Sequence, residues 1–142
     1  MATEVLRSSG HLRLKVAGWS MFPAVLPGDT LMIDRAASDE VSIGDIVLFG
    51  RNRRLFVHRV VGKNDAQFVT RGDAMPAADP AVDQNELLGR VTYILRDGRC
   101  IEPSKTRPLA ERAAATLLRN SEIAARVVAS WHSLRQRSVP TA

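Results

Sequence analysis

The chain reads as a mostly β protein: a compact antiparallel β sandwich or partly open barrel, followed by a C-terminal α-helix. Three observations carry that reading. Short strand-like runs recur between residues 12 and 102, the first of them, 12–17, alternating with a period of two. Turn dipeptides built on Gly, Asp and Asn separate those runs. Beyond Pro103 the composition shifts to an Ala-, Leu- and Arg-rich stretch, which lacks Gly and Pro over residues 109–137.

The elements follow in order. Residues 12–17 alternate apolar and basic side chains, as a half-buried strand does. Pro27-Gly28-Asp29 is a turn into a strand over 30–34, and Gly44-Asp45 is a turn into a strand over 46–49. Residues 50–53 form a hairpin loop into a strand over 55–61, and Asn64-Asp65 turns the chain into 67–71. A strand over 87–95 reaches Asp97-Gly98, a strong hairpin signal, before a last strand over 99–102. The expected organisation is a β domain over 1–102, a Pro-bracketed linker over 103–108 and a helix over 109–137. Within that helix Leu109, Ala113, Leu117, Ala124, Val128, Trp131 and Leu134 approximate an apolar stripe. It would pack on the β domain or a partner protein; alternatively it would lie on an anionic membrane surface, with Trp131 at the headgroups.

Composition narrows the function. The 142 residues suffice for one domain with a core, and no apolar run approaches the ~20 residues of a membrane span. Residues 1–20 lack a continuous apolar stretch and carry Arg7, His11, Arg13 and Lys15, which argues against a signal peptide. The expectation is a cytoplasmic protein, peripheral on a membrane at most. Residues 1–98 balance 12 basic against 12 acidic groups, while 99–142 hold 8 and 3, so the net +5 lies wholly in the tail. The tail's arginines lack the interleaved aromatics that stack on bases, which argues against nucleic acid. The lone Cys100 excludes an internal disulfide and reads as a strand-end filler. His11, His58 and His132 are far apart and show no metal-ligand spacing, so neither metal nor cofactor is expected.

The chemistry concentrates in two fragments. Gly18-Trp19-Ser20-Met21-Phe22-Pro23 offers a serine on a tight turn, and Val57-His58-Arg59-Val60-Val61 offers a histidine on a β segment. A serine hydroxyl is a poor nucleophile at neutral pH and needs a base in reach plus donors for the developing oxyanion. Asp73, in Thr70-Arg71-Gly72-Asp73, and Asp79 are carboxylates that could orient the histidine. Met21 would point away from Ser20 into the core, and Asp29 and Asp45, each after a glycine, read as turn formers. Ser20 as a plain turn serine and His58 as a buried strand histidine are the structural alternatives.

These fragments, with Pro27-Gly28-Asp29-Thr-Leu-Met-Ile, Gly44-Asp45-Ile-Val-Leu-Phe and Leu88-Gly89-Arg90-Val91, resemble the ordered boxes of the signal peptidase I and SOS-repressor-cleavage serine peptidase superfamily. The resemblance covers about residues 12–95 and implies that superfamily's β catalytic core, reduced to a minimum without membrane anchor or inserted subdomain. It implies Ser20 as nucleophile, His58 as general base, and Asp79 in preference to Asp73 as orienting carboxylate. A histidine in the base position, where bacterial signal peptidase I and the SOS repressor place lysine, is similar to the endoplasmic-reticulum, archaeal and sporulation-type branch. Gly18, where signal peptidases usually carry a hydroxyl residue, leaves the oxyanion hole to backbone N–H groups, with Trp19 and Met21 beside it.

The resemblance thus implies a serine endopeptidase that takes a peptide or protein precursor as an extended strand beside residues 12–17, with small residues at the cleavage site. Since a free imidazole titrates near pH ~6.5, a histidine base implies a rate that falls below about pH 6. A catalytically silent peptide- or partner-binding module of the same fold is the second reading. A self-cleaving transcriptional regulator is the third, disfavoured because only 19 residues precede Ser20.

Overall fold

The computed structural model describes residues 2–105; the helix expected over 109–137 and most of its linker lie outside them. The chain opens with α1 (Ala2–Ser9), which the sequence reading did not anticipate. It is one short amphipathic stretch that buries Leu6. It stops at Gly10, whose φ of 77° is a left-handed conformation open to glycine and whose N–H donates to the Leu6 carbonyl at 3.0 Å. Eight strands follow: β1 (His11–Lys15), β2 (Thr30–Arg35), β3 (Ile46–Arg51), β4 (Arg54–Lys63), β5 (Gln67–Arg71), β6 (Val82–Asp83), β7 (Leu87–Arg96) and β8 (Arg99–Ile101). A 3₁₀ turn, Ser38–Glu40, lies between β2 and β3. The expected strands all form, with ends displaced by one or two residues. The two-residue β6 had no periodicity to betray it. Among the described residues no helix is long and apolar enough to cross a membrane.

The fold is mostly antiparallel β, as expected, but the strands make one sheet rather than a sandwich of two. Their order is β1-β2-β7-β3-β4-β5-β6, with β8 added to β7, and the path does not close into a barrel. The central β3 explains how one sheet makes two cores. Ile46 and Leu48 point into a cluster with Leu6, Met21, Val25, Leu31, Ile33, Val91 and Ile94. Val47 and Phe49, on the opposite face, join Val41, Val60, Phe68, Val82 and Leu87. A strand buried on both faces shows no alternation, which is why residues 46–49 read as a solid apolar run. Pairing registers break at Met32/Ile33, Leu48/Phe49 and Val60/Gly62. Such bulges sharpen local twist and bend the strands.

Candidate active site

His58 lies on β4 opposite Val47 of β3. It is only 4% exposed and packs edgewise against Phe49, with ring centroids 6.1 Å apart, and near Phe56 at 6.2 Å. Apolar walls hold the imidazole in one orientation, with its two nitrogens directed at two polar groups. Ser20 is the second residue of a turn in which the Phe22 N–H donates to the Trp19 carbonyl at 3.0 Å; a further turn bonds Val25 N–H to Met21 O at 3.0 Å. The turn leaves Ser20 half-buried and aims its Oγ at His58 Nε2, 3.3 Å away. That contact spans 38 residues of sequence, and β1 and β4 stand four places apart in the sheet order. Curling of the sheet brings the loop after β1 over the face of β4.

On the other side of the ring, His58 Nδ1 lies 2.6 Å from Asp79 Oδ2. The carboxylate can only accept, so Nδ1 carries the hydrogen and Nε2 presents a lone pair to the Ser20 hydroxyl. Asp79 Oδ2 also accepts from Thr70 Oγ1 at 2.7 Å, and the Asp79 N–H donates to the Thr70 carbonyl at 2.8 Å. Burial by itself would raise the Asp79 carboxyl. The hydrogen bond and charge of His58, the hydroxyl of Thr70 and the charge of Arg51 outweigh it and hold the group below the ordinary carboxylate range. Asp79 is therefore ionised across the neutral range, as orientation of an imidazole requires.

Asp73 is placed elsewhere. It is 2% exposed and takes the Arg59 guanidinium in a fork, Nε to Oδ1 and Nη2 to Oδ2, both at 2.9 Å. Successive residues of a strand face opposite ways, so His58 and Arg59 reach into different regions and engage different carboxylates. Arg59 Nη1 also donates to the carbonyls of Gly44 at 2.8 Å and Ser104 at 2.7 Å. The fork thus ties the loop after β5 to two other segments. That loop supports the serine directly, because the Ala74 N–H donates to the Ser20 carbonyl at 3.0 Å. The approach is close enough to need a glycine. A Cβ on Gly72 would lie 2.6 Å from Ser20 O and 3.2 Å from His58 Nε2.

The remaining residues singled out by the sequence take distinct places. Gly18 and Trp19 lie on the approach to Ser20; Trp19 is 45% exposed, and its ring centroid is 5.6 Å from that of Phe22. Met21 is buried in the core beside α1, so only its main chain faces the site. Asp29 and Asp45 cap their own turns, accepting from Leu26 N–H at 2.8 Å and Ser42 N–H at 2.9 Å. Two residues escaped the sequence reading. Thr70 stood inside a quoted fragment without a role. Arg51 of β3 donates to the carbonyls of Pro80 at 3.1 Å and Ala81 at 2.6 Å and pairs with Glu86, so it holds the segment just after Asp79. The alternation of side chains about Asp79 is irregular, and no local pattern marks either partner. Among the described residues no group of three or more His, Cys, Asp or Glu is placed to hold a metal.

A buried histidine bridging a half-buried serine and an ionised carboxylate can move a proton from hydroxyl to imidazole while the carboxylate stabilises the imidazolium that forms. Comparison with curated proteins finds no match. Residues 1–92 match the Peptidase S24-like family model, a span that includes α1, the Ser20 turn, the strand carrying His58 and the loop carrying Asp79. The chain belongs to the Peptidase S24-like family.

Proposed function

We propose that the protein is a serine endopeptidase that uses Ser20 as nucleophile, His58 as general base and Asp79 as the carboxylate that orients His58. The observation that supports it is the continuous line Ser20 Oγ–His58 Nε2 at 3.3 Å and His58 Nδ1–Asp79 Oδ2 at 2.6 Å. The first distance is long for a working hydrogen bond, and bound substrate is expected to tighten it. In this reading His58 takes the hydroxyl proton as Ser20 Oγ attacks the scissile carbonyl. It returns that proton to the leaving amine and then activates water against the acyl-enzyme. Backbone N–H groups around Ser20 would meet the oxyanion, since Gly18 supplies no hydroxyl.

The substrate would be a peptide or protein precursor bound as an extended strand. β1 ends the sheet order and pairs with β2 alone among the described strands, and its chain leads directly to the Ser20 turn. A histidine base favours the signal peptidase-like, histidine-using branch over lysine-using relatives. The test is labelling of the purified chain by a fluorophosphonate, a serine-directed probe. Ser20→Ala is expected to abolish labelling and His58→Ala to slow it about a hundredfold or more. Labelling that survives either substitution unchanged, or no labelling of the parent chain, would favour a silent binding module.

A further inference from the structure

We infer that Thr70 is a positioning residue of this site: its hydroxyl and its main-chain carbonyl together clamp Asp79 in the orientation that serves His58. The inference rests on the proposed peptidase reading and adds a fourth member to its relay. The residues around Asp79 form no strand; the chain leaves β5 at Arg71 and regains a ladder only at Val82. Pro76 and Pro80 supply no N–H for the local backbone to use. A carboxylate on such a segment needs outside anchors to keep one rotamer. Thr70 supplies two at once. Its carbonyl accepts the Asp79 N–H at 2.8 Å, which places the backbone, and its Oγ1 donates to Oδ2 at 2.7 Å, which sets the side chain.

Three further facts point the same way. Thr70 is fully buried, so water cannot substitute for its hydroxyl. Its hydroxyl and His58 Nδ1 converge on the same oxygen, Oδ2, so losing one donor frees the carboxylate to rotate away from the other. Thr70 sits on β5 paired with Val60 of β4, two residues from His58, so clamp and base share one rigid ladder. The charged groups that face Asp79 are His58 from β4 and Arg51 from β3. Neither restrains it through the backbone N–H as Thr70 does.

The test compares Thr70→Val, which keeps the shape and removes the hydroxyl, with Thr70→Ser, which keeps the hydroxyl. Both are made in the full chain and in an Asp79→Asn background. Two readouts are taken, the fluorophosphonate labelling rate and the downfield proton resonance of the His58 Nδ1–H. Thr70→Val is expected to slow labelling about tenfold, the worth of one hydrogen bond to a charged group, with Thr70→Ser within about threefold of the parent. In the Asp79→Asn background Thr70→Val should add less than about twofold, because residues acting as a unit are non-additive. The resonance should move or broaden in Thr70→Val and persist in Thr70→Ser. The inference is overturned if Thr70→Val labels at the parent rate with its resonance unmoved. Equal slowing by Val and Ser, or rate losses that multiply with Asp79→Asn, overturns it as well. A parent chain that does not label sinks the peptidase reading instead, and the resonance then decides the role of Thr70 alone. Should valine not be accommodated, Thr70→Ala replaces it in the same comparisons.

Discussion

Two aspartates six residues apart do different work because adjacent residues on β4 face opposite ways. Asp79 accepts from the His58 imidazole, whereas Asp73 balances a buried guanidinium. Their substitutions should therefore separate. Asp79→Asn is expected to fold normally and to slow labelling of Ser20 by about a hundredfold or more, since the amide favours the wrong tautomer of His58. Asp73→Asn strands the Arg59 charge, whose side chain is 7% exposed, and should cost about 3–5 kcal/mol of stability. Urea unfolding at neutral pH, run beside the labelling rate, checks both. A stable Asp73→Asn with slow labelling would reverse the two roles.

The strands position the site through their irregularities as much as through their regular pairing. β7 lies between β2 and β3, and a register break occurs on each side of it, at Met32/Ile33 and at Leu48/Phe49. Gly89 of β7 pairs with Arg35 of β2. A Cβ there would fall 2.6 Å from the Asp34 carbonyl and 2.8 Å from Ile33 Cγ2. Gly89→Ala should force the two strands apart and destabilise the fold by about 1–3 kcal/mol, read as a lower urea midpoint at constant slope. An unchanged midpoint would mean that the sheet absorbs the methyl group. The strands are legible in the sequence because most carry a half-buried alternation or sit between clear turn residues. α1 and β6 are not, because one is a single eight-residue amphipathic stretch and the other only two residues long.

The sheet as a whole is tied together by buried or half-buried carboxylates, and this sets its response to acid. Burial would raise Asp29, but hydrogen bonds from Arg96 and the Leu26 N–H, with the Arg96 charge, hold it below its ordinary value; Asp79 is lowered likewise by His58 and Thr70. A depressed carboxyl stabilises the fold above its unfolded value, near pH ~3.9, and that contribution disappears as pH falls through the lower folded value. Stability is thus expected to hold from neutral pH to about 5 and to fall progressively below about 4. Asp29→Asn should flatten that acid loss, as urea midpoints between pH 7 and 3 would show. An equally steep loss in the variant would assign the acid response to other groups.

The longer strands and the turns between them, the serine on its tight turn and the histidine on its strand were legible in the sequence by itself. Each depends on residues adjacent in the chain: alternation, turn dipeptides, a glycine before and a proline after Ser20. Which carboxylate His58 engages was favoured only by the family resemblance, which prefers Asp79; the residues alone left it open, because Asp73 and Asp79 share the loop after β5 and the choice depends on which face of β4 each part of that loop covers. The part played by Thr70 and Arg51 was hidden for the same reason. Only the curl of the sheet, which brings a loop across four strand positions onto β4, turns residues distant in the chain into neighbours within hydrogen-bond reach.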